Sequence, residues 1–163
     1  MAEEINFYNA GAALNDVDTL NVDALRLLYR LECSGEDFYN GVADRIGDER
    51  AAELLRQNGR EEMSHANRLR RAIVIKLGHD YEPADEDLVR FPAPLPDEIT
   101  VDLLPLIVQG ELDGDAGYQR WADHEPDPEV ERLLRLNGRE ETVHAERVDQ
   151  VIAILNGATG ESP

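Results

Sequence analysis

Cysteine is almost missing from this sequence, because Cys33 is the only one in 163 residues. A single thiol cannot close an internal disulfide, and it cannot supply the paired Cys-x-x-Cys ligands of a thiolate metal site. Any metal site in the chain would therefore depend on carboxylate or imidazole ligands.

Long apolar runs are missing as well. No segment of the sequence approaches the roughly 18 apolar residues that a membrane-spanning helix needs. The opening residues, MAEEINFYNA, have neither the basic start nor the apolar stretch of a secretory signal peptide. We therefore expect a cytoplasmic protein with no membrane partner.

Positive charge is scarce. The chain has 16 Lys and Arg residues against 35 Asp and Glu, which gives a formal net charge of -19. Nucleic-acid phosphates are bound by basic surfaces, so this balance argues against a nucleic-acid partner. An acidic surface attracts cations, but it serves solubility or adaptation to salt equally well.

Aromatic residues make up only 6% of the sequence, whereas Leu, Ala, Glu and Arg are abundant. These abundant residues are strong helix formers, while strands are enriched in aromatic and β-branched residues. A chain of 163 residues is long enough to bury a sizeable core in one domain. The composition therefore predicts a single all-α domain.

One nine-residue sequence motif, the repeated phrase of this chain, occurs twice. Asn58–Ala66 reads NGREEMSHA, and Asn137–Ala145 reads NGREETVHA. When the sequence is shifted by 79 positions, Glu32–Ile75 pairs with Glu111–Ile154 without a gap, and 19 of the 44 pairs are identical. The chain is therefore predicted to contain two copies of one unit.

Each unit has the pattern of a helical hairpin. Asn and Asp residues stand where helix N-caps are needed, and Gly follows the last apolar positions of the first two helices. Pro105 comes late for a first turn, so the third helix either begins there or bends there. Four helices of about 25 to 30 residues, each roughly 40 Å long, are expected. Their predicted bounds are Asn21 to about Ile46, Asp48 to about Leu77, Thr100 to the EPDP break at Glu125–Pro128, and from that break to Asn156.

The segment between the hairpins, residues 78–99, is rich in proline and acid. Fully extended at about 3.3 Å per residue it could reach roughly 70 Å, enough to cross the bundle and leave the second and third helices parallel. The pattern is that of a four-helix bundle with one long crossover. The predicted organisation is a peripheral segment (1–20), a bundle (21–156, with hairpins 21–77 and 100–156) and a tail (157–163).

The apolar stripe of every predicted helix is interrupted by an acid at a comparable depth. The first and third helices carry one glutamate each, and the second and fourth carry a Glu-x-x-His pair, whose spacing places both side chains on one helix face. Four carboxylates and two imidazoles would thus meet in an apolar interior. The six residues are Glu32, Glu62, His65, Glu111, Glu141 and His144.

Burying these carboxylates together requires a positive charge among them, since each unpaired one costs several kcal/mol. Two metal ions would satisfy the six oxygen and nitrogen ligands, and such ligands suit iron or manganese. The nearby arginines fall off the apolar stripe by helical phase: Arg60, Arg68, Arg139 and Arg147.

At these residues the chain resembles the ferritin-like di-iron carboxylate superfamily over about residues 21–156. Bundles of that kind hold two metals with one Glu from each of two helices and a Glu-x-x-His from each of the others. The resemblance implies a ferritin-like bundle with two iron ions, a manganese or mixed pair being the alternative. It implies one half-site of Glu32, Glu62 and His65 and another of Glu111, Glu141 and His144, with Glu62 and Glu141 as bridges.

Within the superfamily the chain is most similar to rubrerythrins and bacterioferritins, because Tyr39 and Tyr118 each stand seven residues after a lone glutamate. The resemblance implies that these tyrosines are catalytic together with the four glutamates. Rubrerythrins often carry a further Glu where this chain has Gly114, and often a rubredoxin module, whose cysteines are absent here. Peroxide reduction by the rubrerythrin route is therefore not implied.

Four further acids flank the six residues. Glu61 and Glu140 each precede a stripe glutamate by one position, so they point away from the apolar stripe and are predicted to be solvated. Glu36 and Asp115 are either acceptors for imidazole N–H groups or solvated.

Two asparagines of the repeated phrase lie one turn before the expected bridging glutamates. Asn58 and Asn137 are either polar core contacts or helix-packing residues beside Gly59 and Gly138, and we favour packing.

Three functions fit these features. The first is a redox enzyme in which a di-iron centre reacts with dioxygen or peroxide and oxidises ferrous ion or an external electron donor. The second is an oxygenase that hydroxylates a small organic substrate, which would need a pocket beside the centre. The third is an iron store or structural metal bundle. We favour the first, in a homodimer or small homo-oligomer.

Overall fold

The computed structural model describes residues 2–157, and within this range the chain is all α-helix, 3-10 helix and loop with no strand. The predicted all-α class is confirmed. None of the described helices combines the length and the low polarity needed to cross a bilayer. The helices are α1 (Val22–Arg45), α2 (Glu49–Leu77), the one-turn α3 (Asp85–Leu88), α4 (Leu104–Asp123) and α5 (Pro128–Leu155), with 3-10 turns at Ala10–Leu14 and Val101–Leu103.

The helix ends follow the local sequence. The side chain of Asn21 accepts a hydrogen bond from the backbone N–H of Ala24, and Asp48 caps α2 in the same way. Gly78 ends α2 at φ 75°, a left-handed conformation that glycine adopts at low cost. Asp127, inside the EPDP break, caps α5.

Helix α4 is shorter than expected, with 20 residues instead of about 25 to 30. It begins at Leu104, so that Pro105 falls in its first turn, where the missing N–H of proline has no partner to lose. The preceding residues form a 3-10 turn instead of an extension of the helix. Pro105 therefore starts the helix and does not bend it.

The four long helices form a bundle in two pairs. Helix α1 packs along α2, α4 packs along α5, and the pairs meet mainly through α2 and α5. Helices α1 and α4 instead face each other across a cleft. The buried apolar residues form two clusters, one around Leu69 and Leu134 and one around Leu55 and Val148, and the polar centre described below lies between them.

The crossover runs along the outside of α1 from its first turns to its last. Asp87 bonds to Arg26, Phe91 lies under the guanidinium of Arg30, and the N–H of Ile99 donates to the carbonyl of Arg45. The chain thus travels the length of the bundle before α4 begins, and α4 runs parallel to α2. The predicted long crossover is confirmed.

The N-terminal segment spans the open side between α1 and α4. The ring of Phe7 stacks on Phe38 of α1 at 5.0 Å, and the indole N–H of Trp121 on α4 donates to the carbonyl of Val17 at 2.7 Å. Leu14 and Leu20 are buried. The segment therefore closes part of the cleft, whereas nearly all of the predicted tail, beyond Gly157, lies outside the described residues.

The contact between α3 and α1 generates a first prediction. The buried carboxylate of Asp87 accepts hydrogen bonds from Arg26 at 3.0 Å and from the hydroxyl of Tyr81 at 2.9 Å. Burial raises the pKa of Asp87, but these donors outweigh it and lower the pKa below its usual value. We expect Asp87→Asn to lower the free energy of unfolding by about 1 kcal/mol at pH 7.

The difference between wild type and Asp87→Asn should shrink with acid. A carboxyl with a depressed pKa stabilises the fold above its unfolded pKa, and that stability is lost as pH falls through the folded pKa. The gap should therefore be full near pH 7 and begin to close below about pH 4. Urea unfolding at a series of pH values would measure it, with Asp85→Asn, exposed on the same turn, as the control. A gap that is constant with pH would contradict the prediction.

Candidate metal centre

Six acid and imidazole side chains meet in one buried layer across the bundle. The two histidines are fully buried, and none of the four glutamates is more than 9% exposed. Helices α1 and α4 each supply one glutamate, and α2 and α5 each supply a Glu-x-x-His pair. All six residues predicted from the sequence are thus brought together: Glu32, Glu62, His65, Glu111, Glu141 and His144.

Two glutamates stand between the imidazoles. Glu62 places Oε2 3.4 Å from Nδ1 of His65 and Oε1 3.4 Å from Nδ1 of His144. Glu141 does the same, with Oε1 3.7 Å from His65 and Oε2 3.3 Å from His144. The two imidazole rings stack at 5.0 Å and 16°. Each of these carboxylates therefore faces both histidines, as the predicted bridging role requires.

The other two glutamates lie at the flanks. Oε2 of Glu32 is 3.8 Å from Nδ1 of His65, and Oε2 of Glu111 is 3.9 Å from Nδ1 of His144. Each therefore faces one imidazole only. The layer has an approximate two-fold arrangement of one flanking glutamate and one histidine on each side of the central pair.

Several of these atoms lack hydrogen-bond partners among residues 2–157. They are Oε2 of Glu62, Nδ1 of His65, Oε2 of Glu141 and Nδ1 of His144, all buried. Unpaired buried polar atoms are costly and uncommon, so the four call for a ligand. The same four residues can each present one ligand atom within 4.8 Å of the others. The residues present therefore fit metal ions bound by oxygen and nitrogen.

The carboxylates disturb one another's ionisation. Burial, followed by the neighbouring carboxylates, raises the pKa of Glu111 and Glu141 well above the usual value, and raises that of Glu32 to about 7. Burial also raises the pKa of Glu62, but the nearby imidazoles of His144 and His65 outweigh it and lower the pKa. A layer of this kind favours multivalent cations, which allow all four acids to ionise together.

The two predicted tyrosines lie at the layer and bond across it. The hydroxyl of Tyr39 on α1 donates to Glu111 on α4, and that of Tyr118 on α4 donates to Glu32 on α1. Burial, followed by these carboxylates, raises the pKa of both phenols well above the usual value. Both hydroxyls therefore keep their protons and orient the flanking glutamates.

The far nitrogens of the imidazoles are held by the acids that were predicted to be solvated. Nε2 of His65 lies 3.0 Å from Glu140 Oε2, and Nε2 of His144 lies 3.2 Å from Glu61 Oε2. That prediction was wrong because α2 and α5 pack closely, so a side chain one step off the stripe of either helix reaches the histidine of the other. A carboxylate at Nε2 directs Nδ1 toward the central glutamates.

Two arginines complete these contacts. Arg68 donates two hydrogen bonds to Glu140 at 2.6 and 3.1 Å, and Arg147 donates two to Glu61 at 2.6 and 2.9 Å. A hydrogen bond from His65, then Arg68, lowers the pKa of Glu140 to about 2. Sequence reasoning missed these arginines, although the repeat carried the signal, since they and their glutamates recur 79 positions apart.

The asparagines of the repeated phrase are polar core contacts, so the packing interpretation was wrong. Asn58 donates to the carbonyl of His144 at 3.1 Å, and Asn137 donates to that of His65 at 3.3 Å. Close packing falls instead to the neighbouring Gly59, where a Cβ would lie only 3.3 Å from Cβ of Tyr39. The asparagines tie the histidine-bearing segments of α2 and α5 together.

Glu36 and Asp115 do not contact the imidazoles. Glu36 pairs with Arg90 at 3.4 Å, and Asp115 accepts from the hydroxyl of Thr142 at 2.7 Å. The sequence left open whether these acids accept from an imidazole N–H, and the structure shows that neither does. That role belongs to the other pair of acids.

A family comparison agrees with this geometry. The family model described as Rubrerythrin matches residues 23–151, which is most of the 163-residue chain. The chain belongs to the rubrerythrin family. No curated protein and no solved structure matches it significantly.

In this rubrerythrin-family chain, two glycines at equivalent positions of the repeat lie beside the central carboxylates. Gly114 stands where a further glutamate was expected, and a Cβ there would lie 3.5 Å from Cγ of Glu141. Gly35, the equivalent residue of the first unit, is tighter, since a Cβ would lie 3.2 Å from Cγ and Cδ of Glu62. Both glycines leave space beside the central carboxylates.

The contact to the imidazole predicts the effect of Glu140→Gln. A neutral amide holds Nε2 of His65 less strongly than a carboxylate does, so metal affinity should fall by about 10-fold or more. Titration with ferrous ion or Mn²⁺ under anaerobic conditions would measure it. The control is Glu146→Gln, because Glu146 is exposed on the same helix. Equal affinity in both variants would show that Glu140 does not support the centre.

The two glycines beside the central carboxylates allow a matched comparison. Gly35→Ala should displace the carboxylate of Glu62 and weaken metal binding, whereas Gly114→Ala introduces only an ordinary contact and should bind as the wild type does. Both changes should stabilise a helix by about 0.5 to 1 kcal/mol, so helix stability cannot account for a difference. The same metal titration applies, and equal effects would contradict the prediction.

Proposed function

We propose that this chain is a di-iron oxidoreductase that reacts with dioxygen or peroxide and takes electrons from ferrous ion or from an external donor. The observation that carries the proposal is the central pair of carboxylates, each of which faces both imidazoles. That arrangement suits two ions side by side better than one. Family membership supports the same reading.

Each side of the layer would hold one ion. Glu32 and His65 would bind the first, Glu111 and His144 the second, and Glu62 with Glu141 would bridge them. A bound iron pair supplies electrons to an oxidant, and manganese or a mixed pair suits the same ligands.

The surrounding side chains orient the ligands and hold protons. Tyr39 and Tyr118 keep a proton on each phenol oxygen and fix the flanking glutamates. Glu61 and Glu140 each hold an imidazole at Nε2. These contacts set the ligand atoms in place before a metal binds, which lowers the cost of binding.

Access to the layer comes from one side of the bundle. The cleft between α1 and α4 has a volume of about 720 Å³, and all four glutamates contribute to its lining. On the opposite side, α2 and α5 pack together and are tied by the asparagine and arginine contacts. Oxidant and donor would therefore reach the centre through the cleft.

The same cleft favours a second candidate, an oxygenase that hydroxylates a small organic substrate. That function requires a pocket beside the centre, and the cleft is of a size usual for small-molecule sites. Within the 163 residues there is no thiolate cluster to relay electrons, so either reaction would draw on ferrous ion or a separate donor.

A ferrous oxidation experiment tests the proposed function. We expect the chain to oxidise about two ferrous ions per site rapidly and then to stall until a reductant is supplied, since the ligand set suits two ions. Stopped-flow absorbance with excess ferrous ion, against dioxygen and then peroxide, would measure this. Continued mineralisation would indicate a store, oxidation only with an added organic substrate would indicate the oxygenase, and no oxidation would leave a structural bundle.

The bridging assignment has its own test. Glu62→Ala and Glu141→Ala should each disturb both metal positions, because each carboxylate faces both imidazoles. His65→Ala should weaken mainly one position. Metal titration followed by the optical spectrum of the loaded protein distinguishes these cases, and an equal loss in all three variants would refute the assignment of bridges.

A further inference from the structure

The cleft between α1 and α4 is elongated. On α1 it extends from Leu28 to Val42, a distance of about 21 Å at 1.5 Å per residue. Opposite, it extends from Leu103, in the 3-10 turn before α4, to Trp121 on α4. Apart from the glutamates at its floor, its walls are mainly leucine, isoleucine, valine and aromatic side chains. The shape and lining suit a long apolar molecule better than a compact polar one.

Glycine residues, which have no side chain, keep the cleft open near the glutamates. Gly110, Gly114 and Gly117 on α4 all line it. A Cβ at Gly110 would have no neighbour within 4 Å, so a side chain could stand there without a clash. Glycine inside a helix costs about 0.5 to 1 kcal/mol relative to alanine, and here it leaves open space in the middle of the cleft.

One end of the cleft carries a positive group with unused hydrogen-bonding capacity. Arg120 lines the cleft, and its buried Nε has no hydrogen-bond partner in the described part of the chain. The nearest carboxylate, that of Asp18, is 4.0 Å away and exposed. Nη2 makes only long contacts of 3.4 and 3.5 Å to the carbonyls of Leu14 and Val17.

Arg120 and the metal-binding layer lie along the same cleft. Arg120 follows Gly114, which lies beside Glu141, by six positions, and this corresponds to about 9 Å of helix. A ligand with an anionic head at Arg120 would therefore lay its apolar part over the glutamates and on toward Leu103. The head group would meet the guanidinium, and the chain would contact the apolar walls on both sides of the glutamates.

We propose that the cleft binds an unbranched aliphatic carboxylic acid, with its carboxylate on the guanidinium of Arg120 and its chain along the apolar walls. Charge-assisted hydrogen bonds from the guanidinium to the carboxylate would replace the long contacts that Nη2 makes to the carbonyls of Leu14 and Val17. The inference rests on the proposed function only where it places the aliphatic chain of the ligand beside the metal site. Binding of the ligand can be measured separately from oxidation.

Dodecanoate is a suitable probe. Isothermal titration calorimetry of the 163-residue chain should show one saturable site per chain. Trp121, the only tryptophan, lines the cleft, so its fluorescence should change with the same affinity. Absence of saturable binding would overturn the proposal.

The location of the site is tested by filling the cleft. Gly110→Phe places a ring in the open space and should weaken dodecanoate binding at least 10-fold. Ala116→Phe adds the same ring at an exposed position of α4 outside the cleft and should leave binding unchanged. Binding to Gly110→Phe at wild-type affinity would place the ligand elsewhere. A dimer that dissociates on Gly110→Phe in sedimentation would make the cleft an interface between copies, which also overturns the proposal.

The role of the guanidinium is tested by Arg120→Gln. This variant should bind dodecanoate at least 10-fold more weakly and dodecanol with unchanged affinity, because only the acid needs the positive charge. Retained dodecanol binding also shows that the variant is folded. Equal affinity of wild type and variant for dodecanoate would refute the placement of the head group.

The outcomes are separable from those of the proposed function. Ferrous oxidation without dodecanoate binding would remove this inference and leave the oxidoreductase. Dodecanoate binding that follows the variant pattern, in a chain that oxidises no ferrous ion, would support this inference and remove the oxidoreductase.

Discussion

Four carboxylates buried in one layer are the constraint on which the rest of this structure depends. Their mutual repulsion and the loss of hydration would destabilise the fold unless donors and cations surround them. Two imidazoles face the central pair, and a phenol donates to each flanking glutamate. The atoms that remain without protein partners are those that point at one another across the layer, and metal ions are the groups that would complete them.

The contacts around the layer join the two hairpins instead of closing within one. Tyr39 in the first hairpin serves Glu111 in the second, and His65 in the first is held by Glu140 in the second. The reciprocal contacts follow from the internal repeat. One unit alone would leave its glutamate and histidine without these partners, so the centre exists only when both units pack together.

The two sides of the bundle differ in packing. Helices α2 and α5 meet closely and carry the contacts that orient the histidines, whereas α1 and α4 stand apart and enclose a cleft that the glutamates line. Glycines on both open helices, Gly35 and Gly114 among them, keep bulk away from the central carboxylates. The contacts that hold the histidines and the cleft beside the glutamates therefore lie on opposite sides of the bundle.

The sequence alone determined the crossover, the six residues of the layer and the long helices except for the start of α4. It did so because an apolar period of 3.6 residues fixes which side chains share the inner face of a helix. The sequence could not determine which side chains next to that face contact the neighbouring helix. Whether Glu140 is solvated or reaches His65 depends on the distance between two helix axes, and so does the polar role of Asn58. The open cleft likewise arises from how far α1 and α4 separate, a distance that is set by packing across the whole bundle and that no local pattern encodes.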